Sequence, residues 1–416
     1  MNKKNKKWYK LDNAGKIFPP TSTREDPNVF RFACELYDNV DPLVLQDALN
    51  NTLEEYPLFL SRLEKGLFWY FLELSTEKPK INKEQNPPCD KIDDGLLFRV
   101  SYYRKRINLE VYHALTDGTG AMAFLKTLVS NYLTMKYNIE DKFILDDSSI
   151  YEKEDNSFEK YYNKSKLSVT KEEKAYNLKG TKILEDRLKI IEGIVPTKDV
   201  LKLAKEYKTT VTIYLTSILI KSIGATMSRK EKRKPVVVTV PVNLRKYFKS
   251  NTVRNFFNTI TVSYKFNDDY DTLEEIISNI SEQFKMKLTK ENLDKQMNEL
   301  AVLENIFIIR LIPVFIKDIV LKWFYKKSRK EQTIALSNIG IVEMPNKLEK
   351  HIKLFSVFAS TDCMQLCMCS YLDKMTLSFS SHFVDTEIQK NFFTELSKKD
   401  VEVIINSNAL EESEYE

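Results

Sequence analysis

Hydrophobic periodicity breaks down once along this chain, between about Ile139 and Leu184, where Asp, Glu, Lys, Ser, Asn and Tyr dominate. On both sides of that polar run, stretches of period-two alternation give way to stretches of helical spacing, in a recurring order of strand, helix and strand. The chain has 416 residues, more than the roughly 250 to 300 at which a single core stops growing. Two lobes are therefore expected: an N-terminal one over residues 1–145 and a C-terminal one over 185–416, joined by a linker at 146–184. Each is read as a mixed α/β structure of the α+β sandwich kind, although the halves show no obvious sequence repeat.

In the first half, Phe30, Phe32, Cys34 and Leu36 alternate as one face of a strand. Asp41 then fits an N-cap with Pro42 at the first helical position, and Leu45, Ala48, Leu49, Leu53 and Tyr56 recur at helical spacing until Pro57. Strands are expected at Leu67 to Leu72, Leu96 to Tyr102 and Ile107 to His113, followed by a helix with Ala121, Phe124, Leu125, Leu128 and Tyr132 on its inner face. The second half predicts a strand from Arg187, a helix capped by Thr197 with Val200, Leu201 and Ala204 inward, and a helix over Val211 to Ile223. Strands at Pro235 to Val240 and Asn258 to Phe266 precede a capping box, Thr272 with Glu275, whose helix turns Ile276, Ile280, Phe284 and Leu288 inward. Strands at Thr333 to Asn338, Leu354 to Ala359, Met364 to Tyr371 and Met375 to Phe383 lead to a last helix from Thr386 to Leu396.

Composition narrows the function. Hydrophobic residues make up 43% and charged residues 30%, a globular balance. Sixty-four basic against 59 acidic residues leave a net charge of +5 spread along the chain, so no nucleic-acid partner is expected. The basic runs Met1 to Lys7 and Arg229 to Lys234 read as solvated faces, with an acidic ligand such as a CoA phosphate as the other reading. The N-terminus lacks the apolar stretch of a secretory signal, which makes the cytoplasm the expected location. The most apolar segment, Ile306 to Phe324, is broken by Arg310, Pro313, Lys317 and Asp318; no transmembrane segment is expected there, and a buried or interfacial helix fits better. Cys363, Cys367 and Cys369 alternate like a strand without paired CxxC spacing, so they read as buried small hydrophobes and no metal is expected.

His113 is one of three histidines and closes the strand pattern Leu109, Val111, His113, while helical spacing starts after Gly118. A strand-end imidazole on rigid scaffolding can face a cleft, and its ordinary pKa of about 6.5 suits a general base near neutrality. Asp117, four residues on, admits two readings: a catalytic partner, or a scaffold residue that pairs with an arginine and holds the loop. Gly118 and Gly120 would let the backbone turn sharply and approach a ligand. The bland alternative for the whole motif is a satisfied histidine beside a capping aspartate. His382, before Asp385, has one residue too few and no glycine, and reads as a strand-end residue; His351 lies in a polar run and is expected to be exposed. No GxSxG elbow, P-loop or HExxH occurs, so hydrolase, kinase and zinc-protease readings lack their anchors.

The run Tyr112-His-Ala-Leu-Thr-Asp-Gly118 resembles the HxxxDG signature of the CoA-dependent acyltransferase superfamily. That superfamily includes chloramphenicol acetyltransferase, plant BAHD acyltransferases, peptide-synthetase condensation domains and the alcohol acetyltransferase-like proteins, the last being the nearest in pattern. Pro241-Val-Asn-Leu-Arg245 with Arg254-Asn-Phe-Phe257 resembles its second-lobe Arg and Asn segment, and Leu336-Ser-Asn-Ile-Gly340 its late SNxG strand. The resemblance implies two chloramphenicol-acetyltransferase-like lobes in a V with a tunnel between them. It also implies His113 as general base, Asp117 as a structural residue paired with Arg245, and Gly118 lining the tunnel. Ser337 and Asn338 become candidates for contact with the thioester or for stabilising the oxyanion, a task worth about 3 to 4 kcal/mol.

Tyr112 stands where condensation domains carry a first histidine, and the DFGWG segment of BAHD enzymes has no counterpart, which argues against peptide synthesis on carrier proteins. The implied function is transfer of an acyl group, acetyl first among candidates, from acyl-CoA as co-substrate to a small alcohol or amine, with no permanently bound cofactor. The alternative is a catalytically silent protein of the same fold that binds acyl chains or a partner protein.

Overall fold

A computed structural model describes residues 7–92, 95–141, 143, 145, 147–162, 173–183, 187–267, 271–305 and 311–408, and of 299–305 the backbone alone. Met1 to Lys6 of the basic N-terminal run, part of the expected linker, and Ile306 to Arg310 of the apolar segment lie outside these residues. The first half runs β1 (Trp8–Lys10), α1 (Phe18–Thr21), β2 (Val29–Leu36), α2 (Pro42–Glu55), β3 (Ser61–Lys65), β4 (Tyr70–Leu74), β5 (Asn82–Lys83), β6 (Phe98–Tyr103), β7 (Arg106–Tyr112) and α3 (Gly118–Lys136). Two short helices follow, α4 (Ile150–Glu154) and α5 (Ser157–Lys160). The second half continues with β8 (Lys189–Pro196), α6 (Thr197–Glu206), α7 (Val211–Thr226), β9 (Val236–Asn243), β10 (Phe257–Tyr264), α8 (Leu273–Lys287), α9 (Lys290–Asn305) and α10 (Val314–Ser328). It closes with β11 (Ile334–Ile341), α11 (Asn346–Glu349), β12 (Ile352–Ala359), β13 (Met364–Tyr371), β14 (Lys374–Ser381), α12 (Glu387–Ser397) and β15 (Ile404–Ser407).

Local chemistry sets several of these bounds. Asp41 accepts from the backbone N–H of Leu43 and Val44, and Pro42 supplies a preset φ, so α2 starts there. Thr272 and Glu275 form the expected reciprocal capping box at α8. Two large cores result. One gathers Leu45 and Leu49 of α2, Phe124 and Leu128 of α3, and Phe32 and Leu109 of β2 and β7. The other gathers Ile218 and Ile223 of α7, Ile276 and Ile280 of α8, and Val238 and Leu366 of β9 and β13.

A five-stranded sheet has the order β12, β2, β7, β6, β5, and a seven-stranded sheet the order β10, β9, β11, β13, β14, β8, β15. β1, β4 and β3 form a small third sheet. The two halves interleave. β12 pairs antiparallel with β2, from Ile352 opposite Leu36 to Ala359 opposite Phe30, so a strand from within residues 185–416 closes the sheet of the first half. Alternation marks a strand but does not name its neighbour, which is why the sequence reading keeps the halves separate.

Other local expectations are corrected. The apolar run Leu67 to Leu72 is a hairpin turn followed by a strand: β3 and β4 pair, and Gly66 donates its N–H to the Trp69 carbonyl at 2.9 Å. Thr197 is the first residue of α6 and makes no side-chain cap; Pro196 holds the cap position. Leu201 is exposed, because the inward stripe of α6 passes through Val200, Leu203 and Ala204. The expected linker contains the capped helix α4, where Ser149 and Glu152 form a second capping box. His351 is half-buried, stacked on Tyr137 with ring centroids 3.8 Å apart. Among the described residues, no helix is long and apolar enough to cross a membrane.

Candidate active site

β7 ends at Tyr112, and α3 begins at Gly118, so His113 occupies the corner between them. Its N–H donates to the Asn28 carbonyl at 2.9 Å, which extends the pairing of β7 with β2 by one residue and fixes the backbone of the corner. Three aromatic rings hold the imidazole. Phe18 of α1 stacks on it at 4.3 Å and 18°, Phe30 meets it edge-on at 5.0 Å, and Phe257 lies tilted at 5.4 Å.

Asn255 fixes the protonation pattern of that ring. Its Nδ2 donates to the His113 carbonyl at 3.0 Å and approaches Asp12 Oδ2 at 3.4 Å. A backbone carbonyl can only accept, so the amide oxygen of Asn255 must face the ring, where Oδ1 lies 3.1 Å from His113 Nδ1. Nδ1 therefore carries the proton and Nε2 the lone pair. Burial lowers the pKa of His113; the charge of Asp117 and the hydrogen bond that the ring donates to Asn255 act the other way without reversing it.

Asp117 has no capacity left for His113. Its Oδ1 accepts from the N–H groups of Thr119 and Gly120, each at 3.0 Å, and so caps α3. Its Oδ2 accepts from Arg245 Nη1 and from the Phe256 N–H, each at 2.8 Å. Arg245 adds bonds from Nε to the Thr252 carbonyl at 2.9 Å and from Nη2 to the Arg254 carbonyl at 2.5 Å. One carboxylate and one guanidinium thus tie the His113 corner to the segment that leads into β10.

His113 lines a cavity of about 910 Å³ together with Asp117, Gly118, Ser337 and Asn338. That volume lies at the upper end of the range for small-molecule sites, roughly 300 to 1,000 Å³. Residues from both halves form its wall, including Phe18, Phe30, Thr212, Tyr325 and Arg329, with exposed Lys246 and Lys285 at its edge. Asn338 is already engaged: its Nδ2 donates to Thr212 Oγ1 at 2.8 Å, and its Oδ1 accepts from the Gly340 N–H at 2.8 Å. Arg245 does not line the cavity.

The two glycines serve close approach, since neither has a positive φ. A Cβ on Gly118 would stand 3.0 Å from Ile339 Cδ1, and one on Gly120 only 2.0 Å from the Val253 carbonyl oxygen. His382 lies beyond the end of β14 and its Nε2 sits 2.9 Å from the Glu25 carbonyl, away from this cavity. Burial pushes the thiol of Cys363 up to about 11 and those of Cys367 and Cys369 up to about 12. Among the described residues no group of three His, Cys, Asp or Glu could hold a metal ion.

Asn255 stands in the second-lobe block of the sequence, yet its spacing alone assigns it no partner. Phe18 and Asp12 come from the N-terminal stretch, where no periodicity marks them. The one available signal is physical: an imidazole withdrawn in part from water needs an acceptor for its N–H and apolar faces beside it.

No family model matches the sequence, and no curated protein matches it. Solved structures do match. F. graminearum TRI101, complexed with coenzyme A and deoxynivalenol, is 10% identical with a TM-score of 0.63, covering 95% of this chain and 99% of that one. The TRI3 trichothecene 15-O-acetyltransferase of Fusarium sporotrichioides is 9% identical with a TM-score of 0.62, covering 94% of both chains. The first condensation domain of the calcium-dependent antibiotic synthetase, in complex with a substrate analogue, is 12% identical with a TM-score of 0.60, covering 96% and 99%. The chain therefore has the two-lobed, chloramphenicol-acetyltransferase-like fold of the CoA-dependent acyltransferases and condensation domains.

Proposed function

We propose that this protein is an acyltransferase that moves an acyl group, acetyl first among candidates, from a CoA thioester to an alcohol or amine, with His113 as general base. The observation that carries this reading is the state of His113: half-buried among aromatic rings on the wall of a large cavity, with Asn255 holding the proton on Nδ1 and leaving Nε2 basic. The likeness in fold to acetyltransferases and condensation domains supports the same reaction class.

In this mechanism Nε2 takes the proton of the acceptor hydroxyl or amine as its lone pair attacks the thioester carbonyl carbon. The tetrahedral oxyanion then collapses, the carbon–sulfur bond breaks, and the imidazolium returns its proton to the departing thiolate. Ester or amide and free CoA thiol are the products. The Ser337 hydroxyl, on the cavity wall, is the candidate donor to the oxyanion, with Asn338 second because its amide is already engaged. Asp117 and Arg245 act as scaffold, and Lys246 and Lys285 are suited to the phosphates of a CoA donor. Incubating the protein with acetyl-CoA and a panel of alcohols and amines tests this: release of thiol with formation of the acylated acceptor supports it. No turnover with any acceptor and acyl-CoA would leave a binding protein of the same fold.

A further inference from the structure

Helix α10 is built inside out. Its inward stripe contains the charged pair Lys317 and Asp318, while its outward stripe is Phe315, Ile316, Ile319, Val320, Trp323 and Phe324. Lys317 is buried, donates from Nζ to the Phe68 carbonyl at 3.0 Å and sits over the Trp69 ring at 3.4 Å. Asp318 accepts from the Tyr70 hydroxyl at 2.8 Å and pairs with Lys65. By contrast Ile319 is 66% exposed and Trp323 60%. A surface helix in water turns its apolar stripe to the core; six adjacent large apolar side chains turned outward form a patch of the kind that marks an interaction site.

Charge around the patch identifies what it meets. Lys322, Lys326, Lys327 and Lys330 are exposed, and no Asp or Glu occurs between Asp318, which is turned inward, and Glu331. We infer that α10 lies in the plane of an anionic phospholipid surface, with its aromatic and aliphatic stripe in the acyl boundary and its lysines among the headgroups. Large apolar groups on one side with Lys at the margin are the physical requirements of an in-plane helix, and Trp favours that depth. A spanning orientation does not fit: 15 residues rise about 22 Å, short of a hydrocarbon core of about 30 Å. A second copy fits less well than lipid, because a twofold contact would bring the same lysine rim against itself. The exposed Leu67 at the tip of the β3–β4 hairpin, whose carbonyl accepts from the Val314 N–H at 2.9 Å, extends the apolar surface past the start of the helix. On its other side, α10 supplies Tyr325 to the wall of the His113 cavity and packs on α1, which carries Phe18.

Flotation with vesicles of phosphatidylcholine alone, and of phosphatidylcholine with phosphatidylglycerol, tests this on the intact protein and reads no catalysis. Wild type is expected to float with the anionic vesicles, at least about tenfold more tightly than with the neutral ones, and to be released by salt. The double variant Trp323→Glu/Phe324→Glu, made at exposed positions, should lose at least about tenfold of that binding with an unchanged melting temperature. Lys326→Glu/Lys327→Glu, which leaves the apolar stripe intact, should lose the preference for anionic vesicles. Wild type that stays unbound, or variants that float like it, would overturn the inference. So would a wild-type dimer in light scattering that Trp323→Glu/Phe324→Glu turns into monomer, since the face would then belong to a second copy.

Discussion

Asn255 grips His113 at both ends: its Nδ2 holds the histidine's own carbonyl at 3.0 Å, and its Oδ1 receives the ring proton at Nδ1, 3.1 Å away. Backbone and ring are thereby fixed by one amide, which leaves Nε2 as the basic nitrogen.

Asn255→Ala removes the acceptor of that proton. The rate of the chemical step is expected to fall about 10 to 100-fold, a fraction of what general-base catalysis contributes, with KM little changed. The lost bond favours the charged ring, so the acid limb of the pH profile should move to lower pH. Steady-state kinetics against pH, with nitrogen NMR of the ring tautomer, separates this from a merely structural loss.

Burial lowers the pKa of His113, so the imidazole stays neutral to a lower pH than usual. In the proposed role of general base it can work only unprotonated. The pH profile of kcat/KM should be flat through neutrality and fall on the acid side with a midpoint below about 6.5, the ordinary value. A midpoint above that value would contradict a desolvated base.

Asp117→Asn keeps the shape of the side chain but removes the charge that meets Arg245 and puts N–H groups against other donors. With both partners nearly buried, the cost should be about 3 to 5 kcal/mol, read as a lower urea midpoint. A variant of full stability and no activity would instead place Asp117 in the chemistry.

Gly120→Ala should destabilise by about 1 to 3 kcal/mol or prevent folding, because its methyl would press on the Val253 carbonyl 2.0 Å away. Gly118→Ala meets the far end of Ile339 and, at ordinary contact distance, the Phe32 ring, and should fold normally while narrowing the cavity, which raises KM. Thermal melts and KM values for the pair check this contrast.

Much of this site is legible along the chain, because its parts lie where periodicity changes. The switch from period two to helical spacing locates His113 at a strand end and Asp117 at a helix start, and a carboxylate at a helix start caps it for general reasons. The α8 and α2 starts are legible for the same cause. What depends on distant pairing is not. The neighbour of β12, the stack of Phe18 on His113 and the orientation of Asn255 are set by contacts between residues 95 to 329 positions apart. Leu201 shows a finer limit, since helical spacing admits it beside Val200 and only the packed partner decides which of the two turns inward. α10 shows another limit: in the sequence its apolar residues fit a buried or an interfacial helix alike, and only the fold shows that they face outward.

The most direct test of the central claim is the rate of thiol release from acetyl-CoA by His113→Ala beside wild type, with whichever alcohol or amine wild type acylates. Loss of the base should cut kcat/KM about 100 to 10,000-fold while the variant stays folded and still binds CoA. Undiminished thiol release by His113→Ala would contradict the assignment of His113 as the base.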